Sequence, residues 1–312
     1  MAAIIALYPG QGSQEPKMAL DLYQASSKVK ELFTLASDIS HVNLRKLLES
    51  GTKEELQQTK NTQLVVTLAS RSAALRLSEL GHTFIGHSGF SLGELSAYAT
   101  SGIMSDKTLF ELITIRATLM DQESEKIEKR IGKVGMAAVI GLDYERVANL
   151  LHNHKTLFAA NDNSPTQVVI AGTMTAIEEI QPTLKSHGAR RIIPLKVSGP
   201  FHTPFMEGAS SCFKAAVEDL PFSDPTQRVI SSVTGEAIIN SLQAKETLIT
   251  QLAKPVRWTK AVNTLAASIE PETIVGEVGY GSVLSKLAGD RLTSLPLGSE
   301  EQIQTFNKGS IQ

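Results

Sequence analysis

Short apolar segments alternate with longer segments of helical periodicity in the first third of the chain. Residues 4–8 and 83–85 predict strands, and residues 18–36, 64–80 and 95–100 predict helices. Strands that alternate with helices along a chain favour a parallel sheet with helices packed on its faces. The hydrophobic pattern therefore predicts an α/β domain with a mostly parallel sheet.

The pattern changes after residues 123–130, a strongly charged segment that predicts a helix end followed by a linker. The apolar runs beyond it follow the order β-α-β-β-α-β, which is typical of a ferredoxin-like unit. A dense turn signal at residues 161–165 separates the two middle strands. We therefore predict a ferredoxin-like subdomain at residues 129–197, inserted into a larger domain formed by residues 1–128 and 198–312. The predicted strands are 136–140, 157–160, 167–171 and 191–197, and the predicted helices are 144–152 and 175–187.

The composition and charge argue against several functional classes. A chain of 312 residues with 42% hydrophobic and 20% charged residues has an ordinary globular composition. Its net charge of −2 provides no general attraction to nucleic acid or to membranes. The apolar segment at residues 2–7 is too short for a signal sequence or a transmembrane helix. The single cysteine, Cys212, excludes an intramolecular disulfide and fits a reducing compartment, so we expect a cytoplasmic protein in which this side chain is a buried bystander.

The most informative motif is Gly-Phe-Ser-Leu-Gly-Glu at positions 89–94, between the second predicted strand and the helix that follows it. A serine in a Gly-x-Ser-x-Gly motif at such a turn is typical of the nucleophile elbow of acyl-transfer enzymes. Gly89 and Gly93 leave room for the tight turn because they have no Cβ atom. The hydroxyl of Ser91 would then lie at a helix N-terminus, where backbone N–H groups stabilise a developing oxyanion. The motif predicts an α/β-hydrolase-like larger domain.

A second serine, Ser88, follows Gly86 and His87 and competes for the same role. With Ser88 as the nucleophile, Phe90 would occupy the second position that requires a small residue and would crowd the turn. Ser91 is therefore the better candidate nucleophile.

Further motifs accompany the elbow along nearly the whole chain. They are Pro-Gly-Gln-Gly-Ser-Gln at 9–14, Asn-Thr-Gln at 61–63, Arg116, Asn-Asp-Asn-Ser-Pro at 161–165 followed by Gln-Val-Val-Ile-Ala-Gly at 167–172, Ser-Gly-Pro-Phe-His at 198–202, Pro-Val-Arg-Trp at 255–258, and Glu-Val-Gly-Tyr-Gly at 277–281. In this order they resemble the malonyl-CoA:acyl carrier protein transacylases, the acyltransferases of fatty-acid and polyketide synthesis. Several motifs in family order are more specific than the elbow alone.

The resemblance implies a ping-pong reaction with malonyl-CoA and an acyl carrier protein as partners. Ser91 would attack the thioester, and His202, in its Pro-Phe-His loop, would act as the general base. His87 remains a minor rival for that role because it lies close to the elbow. The family uses a main-chain carbonyl to orient the histidine, and the resemblance assigns this carbonyl to Gln251, with Gln63 and Asn161 also at the site. No metal or redox cofactor is implied, and no histidine or cysteine cluster has metal-ligand spacing.

The resemblance also implies how the substrate is selected. Arg116 lies on an otherwise apolar helix, and the helix alone favours an arginine that simply pairs with a surface acid. In the family, such an arginine holds the free carboxylate of malonate in a bidentate clamp. The backbone N–H groups of Gln11 and Leu92 would form the oxyanion hole. Phe201, next to the histidine, would leave little space for an α-methyl branch on the acyl group.

One position departs from the family pattern. The family commonly has histidine immediately before the nucleophile, whereas this chain has Phe90. An aromatic residue at that position resembles the malonyltransferase subunit of malonate decarboxylase, so the carrier protein that accepts the malonyl group stays open. Two readings from other classes also remain, namely a serine hydrolase or thioesterase that uses water, and a non-catalytic acyl-CoA-binding module. The hydrolase reading has no obvious use for Arg116 or the Pro-Phe-His loop, and the binding-module reading predicts no covalent intermediate.

Overall fold

The computed structural model of the chain describes residues 1–270 and 272–309, which contain two sheets and the helices around them. The predicted larger domain also includes Pro271 and residues 310–312, which lie outside the described residues. The strands are β1 (Ala3–Tyr8), β2 (Thr83–Gly89), β3 (Val134–Ile140), β4 (Leu157–Ser164), β5 (Gln167–Thr173), β6 (Arg191–Pro194), β7 (Arg228–Ile230), β8 (Ala237–Ile238), β9 (Ile274–Glu277) and β10 (Leu295–Pro296). The α-helices are α1 (Leu20–Ala25), α2 (Ser27–Ser40), α3 (Leu44–Ser50), α4 (Lys53–Gln57), α5 (Thr59–Glu79), α6 (Gly93–Thr100), α7 (Asp106–Ile131), α8 (Tyr144–Leu151), α9 (Met174–Ser186), α10 (Glu207–Asp219), α11 (Ser241–Gln251), α12 (Trp258–Ala266), α13 (Val283–Ala288) and α14 (Glu300–Gly309), with short 3₁₀ helices at Pro204–Met206 and Gly289–Arg291.

The larger sheet has the strand order β10-β9-β1-β2-β7-β8, and each neighbouring pair is parallel except β7 with β8. Its central strand β1 is apolar on both faces. Ile4 and Ala6 pack into one hydrophobic cluster, and Ile5 and Leu7 pack into another on the opposite side. Alternate side chains of a strand point to opposite faces, so both faces of this parallel sheet are buried. The predicted α/β class with a mostly parallel sheet is confirmed.

The smaller sheet is separate and antiparallel, with the order β4-β5-β3-β6. One face forms its own core with α8 and α9, in which Val139 and Ile170 pack against Val147 and Ile177. The other face, which includes Val169, belongs to the main hydrophobic cluster of the protein. This second face is therefore directed toward the rest of the molecule.

The smaller sheet is joined to the larger part of the chain by backbone and side-chain contacts around Val256. The Asp162 N–H donates a hydrogen bond to the Val256 carbonyl at 2.7 Å, and the Val256 N–H donates to the Ala160 carbonyl at 2.9 Å. The next residue, Arg257, lies over the ring of Tyr144 at 4.0 Å from its centroid. A stacked arginine retains its charge while it covers apolar surface, so this contact stabilises the junction.

Three local predictions were wrong. The helix predicted at 18–36 is two helices, because the chain is extended at Ser26, whose hydroxyl accepts a hydrogen bond from the Val29 N–H at 3.1 Å and caps α2. The charged segment 123–130 is no linker but lies within α7, since its Glu, Lys and Arg residues are good helix formers. Cys212 is exposed on α10 rather than buried.

Two strand boundaries also differ from the prediction. Strand β4 continues through most of the predicted turn to Ser164, because its backbone pairs with β5, through bulges, and with the segment at Val256. Strand β6 ends at Pro194, although the apolar pattern extends to Val197.

The chain passes from β2 to α6 through an unusually close approach of backbone segments. A Cβ atom on Gly89 would lie 2.0 Å from the Gly93 carbonyl carbon, and one on Gly93 would lie 2.1 Å from the Tyr8 carbonyl oxygen. Between them, Ser91 adopts a left-handed conformation with φ of 51°. Glycine at both positions is therefore a steric requirement of this turn.

We predict that Gly89→Ala lowers the free energy of unfolding by about 1–3 kcal/mol or more, because the added methyl group overlaps backbone atoms that cannot move independently. Gly86→Ala is the matched control on the same strand, since its nearest neighbour would be a side-chain carbon of Ile5 at 3.4 Å. Chemical denaturation of both variants measures the difference. Equal losses would contradict the steric account of the turn.

Candidate active site

A cleft of about 230 Å³ opens between the smaller sheet and the loops that follow β1 and β2. The predicted site residues that line it are Gln11, Ser91, Leu92, Arg116, Asn161, Phe201 and His202. The remaining two, Gln63 and Gln251, do not line the cleft but contact Arg116 directly. The structure therefore brings together all nine residues that the sequence placed at the site.

Ser91 and His202 are in direct contact. The Ser91 Oγ lies 2.7 Å from His202 Nε2, although the two residues are 111 positions apart in the chain. The rival serine, Ser88, is fully buried within β2 and donates its hydroxyl to the Ile230 carbonyl at 2.9 Å. The rival histidine, His87, is buried beside the Tyr8 hydroxyl at 3.3 Å. The geometry thus favours Ser91 with His202 over both alternatives.

The second ring nitrogen of His202 determines its tautomer. His202 Nδ1 lies 2.9 Å from the main-chain oxygen of Gln251, which can only accept a hydrogen bond. We infer that Nδ1 carries the proton and that Nε2 is free to accept one from Ser91. Burial, together with the nearby charge of Arg116, lowers the pKa of His202 to about 4 from its ordinary value of 6.5. The imidazole is therefore neutral, and able to act as a base, at neutral pH.

Arg116 is a buried cation that contacts no carboxylate of residues 1–270 and 272–309. Its side chain is 1% exposed, and Nη1 and Nη2 donate to the side-chain oxygens of Gln63 at 2.7 Å and Gln251 at 3.0 Å. Its Nε has no hydrogen-bond partner among the residues that the structure describes. Burial lowers the pKa of Arg116 to about 10, so the guanidinium still carries its charge at neutral pH. A buried charge of this kind favours an anionic ligand in the cleft.

Gln251 connects the separate parts of the site. Its side-chain Nε2 donates to the Ser91 carbonyl at 3.0 Å and to Glu94 Oε2 at 2.8 Å, while its Oε1 accepts from Arg116. The sequence identified only its main-chain carbonyl. Glu94 was visible as the last residue of the elbow motif, but no local signal showed that its carboxylate would turn inward toward Gln251.

The turn after β1 and the start of α6 each bring a predicted oxyanion-hole residue to the wall of the cleft. Leu92 is the N-cap residue of α6, and Gln11 lies in the loop after Tyr8. The N–H groups of Gly93, Glu94 and Leu95 already donate to the carbonyls of Phe90, Ser91 and Leu92, so these three are not free to bind an oxyanion. The oxyanion-hole role of the Gln11 and Leu92 N–H groups stays a prediction.

Apolar side chains and two amides form the remaining walls. Phe201 is buried next to His202, and Phe90 is half-buried with its ring edge-on to Trp258 at 5.6 Å. Asn161 and Asn163 are buried on β4, and the Oδ1 atom of each has no hydrogen-bond partner among the described residues. Asn163 was missed as a site residue, although it belongs to the same Asn-Asp-Asn motif as Asn161. The cleft can thus hold an acyl chain with polar groups along it.

No helix in the described part of the chain is both long and apolar enough to cross a membrane. Within the same residues, no group of three or more histidine, cysteine, aspartate or glutamate side chains is arranged to hold a metal ion.

Comparison with known proteins agrees with this geometry. Residues 6–305 match the family model of the acyl transferase domain. The malonyl CoA-acyl carrier protein transacylase of Bacillus subtilis is 33% identical over 311 residues, which cover 97% of this chain and 96% of that protein. The corresponding protein of Haemophilus influenzae is 33% identical over 98% of both chains.

Solved structures show the same similarity. The malonyl-CoA:acyl carrier protein transacylase of Helicobacter pylori has a TM-score of 0.91 at 29% identity and covers 100% of this chain and 99% of its own. A malonyl-transacylase in complex with a type II PKS acyl-carrier protein has a TM-score of 0.90 at 30% identity and covers 99% of this chain and 100% of its own. The chain therefore belongs to the acyl transferase family, among the malonyl-CoA:acyl carrier protein transacylases.

Proposed function

We propose that the protein transfers a malonyl group from malonyl-CoA to the phosphopantetheine thiol of an acyl carrier protein, through an ester on Ser91. The observation on which this rests is one cleft that contains both the Ser91–His202 contact of 2.7 Å and the buried Arg116. The Ser91–His202 contact supports acyl transfer, and the buried guanidinium of Arg116 supports an acyl group that carries a free carboxylate. The names of the relatives support the same substrate and acceptor.

In the first half of the reaction, Ser91 attacks the thioester carbonyl of malonyl-CoA. His202 Nε2 takes the hydroxyl proton as the Oγ–carbon bond forms, and the N–H groups of Gln11 and Leu92 stabilise the oxyanion. The intermediate collapses with loss of the CoA thiolate, which receives the proton from His202. Gln251 holds the ring throughout, because its carbonyl accepts from Nδ1 in both protonation states.

In the second half, the carrier thiol replaces CoA and the same steps run in reverse. His202 takes the thiol proton, the sulfur attacks the ester carbonyl, and Ser91 leaves with the proton returned to its oxygen. All bonds that form and break belong to Ser91, His202 and the two thioesters. The proposed reaction therefore includes no metal or redox cofactor.

Arg116 selects the substrate in this proposal. The malonyl carboxylate accepts hydrogen bonds from the guanidinium, so the buried cation gains a direct ion pair. Phe201 limits the space beside the α-carbon. The clamp also keeps the acyl carbonyl in one orientation until a second thiol arrives.

Phe90 supports a second candidate acceptor. Its ring lies in the wall of the cleft, at the position that resembles the malonyltransferase subunit of malonate decarboxylase. In that alternative the chemistry on Ser91 is the same, and the malonyl group passes to the carrier of malonate decarboxylase. A side-by-side assay with both carriers separates the two, because the physiological carrier should give the higher kcat/KM.

We also propose that the larger sheet belongs to an α/β-hydrolase-like domain formed by residues 1–128 and 198–312, with a ferredoxin-like subdomain at residues 129–197. The support for the second unit is the strand order β4-β5-β3-β6 with a helix after β3 and another after β5.

We predict that Ser91→Ala abolishes the covalent malonyl adduct, because no other hydroxyl contacts His202 in the described structure. Intact-mass measurement after incubation with malonyl-CoA detects the adduct, and Ser88→Ala is the control that should retain it. In the wild-type protein the adduct should persist until a carrier protein is added. Rapid loss to free malonate would instead indicate a hydrolase, and no adduct at all would indicate a binding module.

We predict that Arg116→Ala reduces kcat/KM for malonyl transfer by about 100-fold or more, since it removes charge-assisted hydrogen bonds to the carboxylate. Acetyl transfer, which makes no such contact, should fall much less. Steady-state kinetics with malonyl-CoA and acetyl-CoA measure the ratio. Equal losses for the two substrates would show that Arg116 is only structural.

We predict that the rate of Ser91 acylation falls at acid pH with an apparent pKa near the value of about 4 for His202, rather than near 6.5. The rate falls at low pH because protonated His202 cannot accept the serine proton. The fall occurs well below pH 6.5 because burial and the charge of Arg116 disfavour protonation of the imidazole. Stopped-flow measurement of the acylation rate across pH gives this acid limb of the pH–rate profile. His202→Ala should slow acylation by about 10²–10⁴ and remove the limb; a limb that persists in this variant would assign the base to another group.

A further inference from the structure

Glu94 is a fully buried acid directly beneath the active site, and the reaction described above does not use it. It lies in the first turn of α6, three positions after Ser91, and its side chain is 0% exposed. Fully buried carboxylates are rare in proteins, because the removal of their charge from water is costly unless other groups compensate for the lost hydration.

The neighbours of Glu94 show that it accepts hydrogen bonds on both oxygens. Oε2 accepts from the Ser232 hydroxyl at 2.7 Å and from Gln251 Nε2 at 2.8 Å, and Oε1 accepts from the Tyr98 hydroxyl at 3.3 Å. Burial raises the pKa of Glu94 above its ordinary value, and the hydrogen bonds from Ser232 and Gln251 offset part of that rise. A group surrounded by donors is best satisfied as the ionised carboxylate.

The same amide that Glu94 holds also contacts Arg116. Gln251 directs its N–H₂ toward Glu94 and its oxygen toward the Arg116 guanidinium at 3.0 Å. Rotating this amide by 180° would place two acceptors against each other at Glu94 and two donors against each other at Arg116. One neutral amide therefore separates a buried anion from a buried cation, and the charge of Glu94 acts on Arg116 through it.

We propose that Glu94 is the resident counter-charge of Arg116 and that it limits how tightly the cleft holds the malonyl carboxylate. This inference rests on the proposed role of Arg116 in binding that carboxylate. Without substrate, Glu94 and Arg116 balance each other. With substrate, the malonyl carboxylate brings a second negative charge to a single guanidinium, so Glu94 opposes its binding. The malonyl group is thereby held firmly enough to be selected and weakly enough to pass to the carrier.

Glu94→Gln tests the proposal because it removes the charge and nearly conserves the shape. The amide oxygen of glutamine can still accept from Gln251 and Ser232, so the arrangement of Gln251 is retained. We expect Kd for malonyl-CoA to fall by about tenfold, as Coulomb attraction between Arg116 and the carboxylate is no longer opposed. Calorimetry in a Ser91→Ala background measures Kd without acyl transfer. An unchanged or higher Kd in folded protein would overturn the proposal.

Two controls show whether a change in Kd comes from the charge of Glu94 or from local packing. Acetyl-CoA lacks the carboxylate, so its Kd should change far less than that of malonyl-CoA. Ser232→Ala removes a donor to the same carboxylate oxygen without removing its charge, and it should not tighten malonyl-CoA binding. If Ser232→Ala tightened binding as much as Glu94→Gln, the effect would come from local packing and the counter-charge would be refuted.

A substrate-free measurement distinguishes failure of this inference from failure of the proposed function. Unfolding free energies of Glu94→Gln, Arg116→Met and the double variant form a thermodynamic cycle. We expect the double variant to be more stable than the sum of the single losses predicts, because each single variant leaves one buried charge unbalanced. Additive losses would refute the pairing itself. Clear coupling together with an unchanged malonyl-CoA Kd would show that the pair exists but that Arg116 does not bind the carboxylate.

Discussion

The geometry of the cleft depends on the contacts of Gln251. Its main-chain carbonyl accepts from His202 Nδ1, and its side-chain amide contacts the Ser91 carbonyl, Glu94 and Arg116. One residue therefore orients the candidate base, the turn that holds the nucleophile and the candidate carboxylate clamp. A backbone carbonyl does not change position with side-chain rotamer, so the orientation of His202 follows from the path of the chain. This replaces the buried acid that orients the histidine in a Ser-His-Asp triad.

Burial has opposite chemical consequences for the two basic groups of the site. It lowers the pKa of His202 to about 4, which leaves the imidazole neutral at pH 7, and it lowers that of Arg116 only to about 10, which leaves the guanidinium charged. The same removal from water thus provides a base beside the hydroxyl and a cation deeper in the cleft. The cation is tolerated because two amide oxygens and the nearby charge of Glu94 compensate part of its lost hydration.

Features that depend on nearest neighbours in the chain were predictable. The alternation of apolar and helical segments indicated two sheets, and the Gly-x-Ser-x-Gly motif located the turn at Ser91, because glycine at both flanks is a steric requirement. Predictions failed where a local signal competed with distant packing. The turn signal at 161–165 was overridden as far as Ser164 by backbone pairing with β5 and Val256. The prediction for segment 123–130 failed for a local reason instead, because a high density of charge does not end a helix whose Glu, Lys and Arg residues favour one.

By itself, the sequence determined the chemistry that is available: a serine at an elbow, a histidine in a proline-rich loop, an arginine on an apolar helix, and family motifs in order along the chain. It did not determine distances between these groups, because Ser91 and His202 are 111 positions apart and no local pattern encodes their contact. The tertiary structure decided which serine and which histidine meet, and it turned Glu94 inward toward Gln251 and Arg116. Hydrogen bonds in a dry interior act only between atoms that packing brings within about 3 Å, so the charge balance of the cleft is a property of the folded chain.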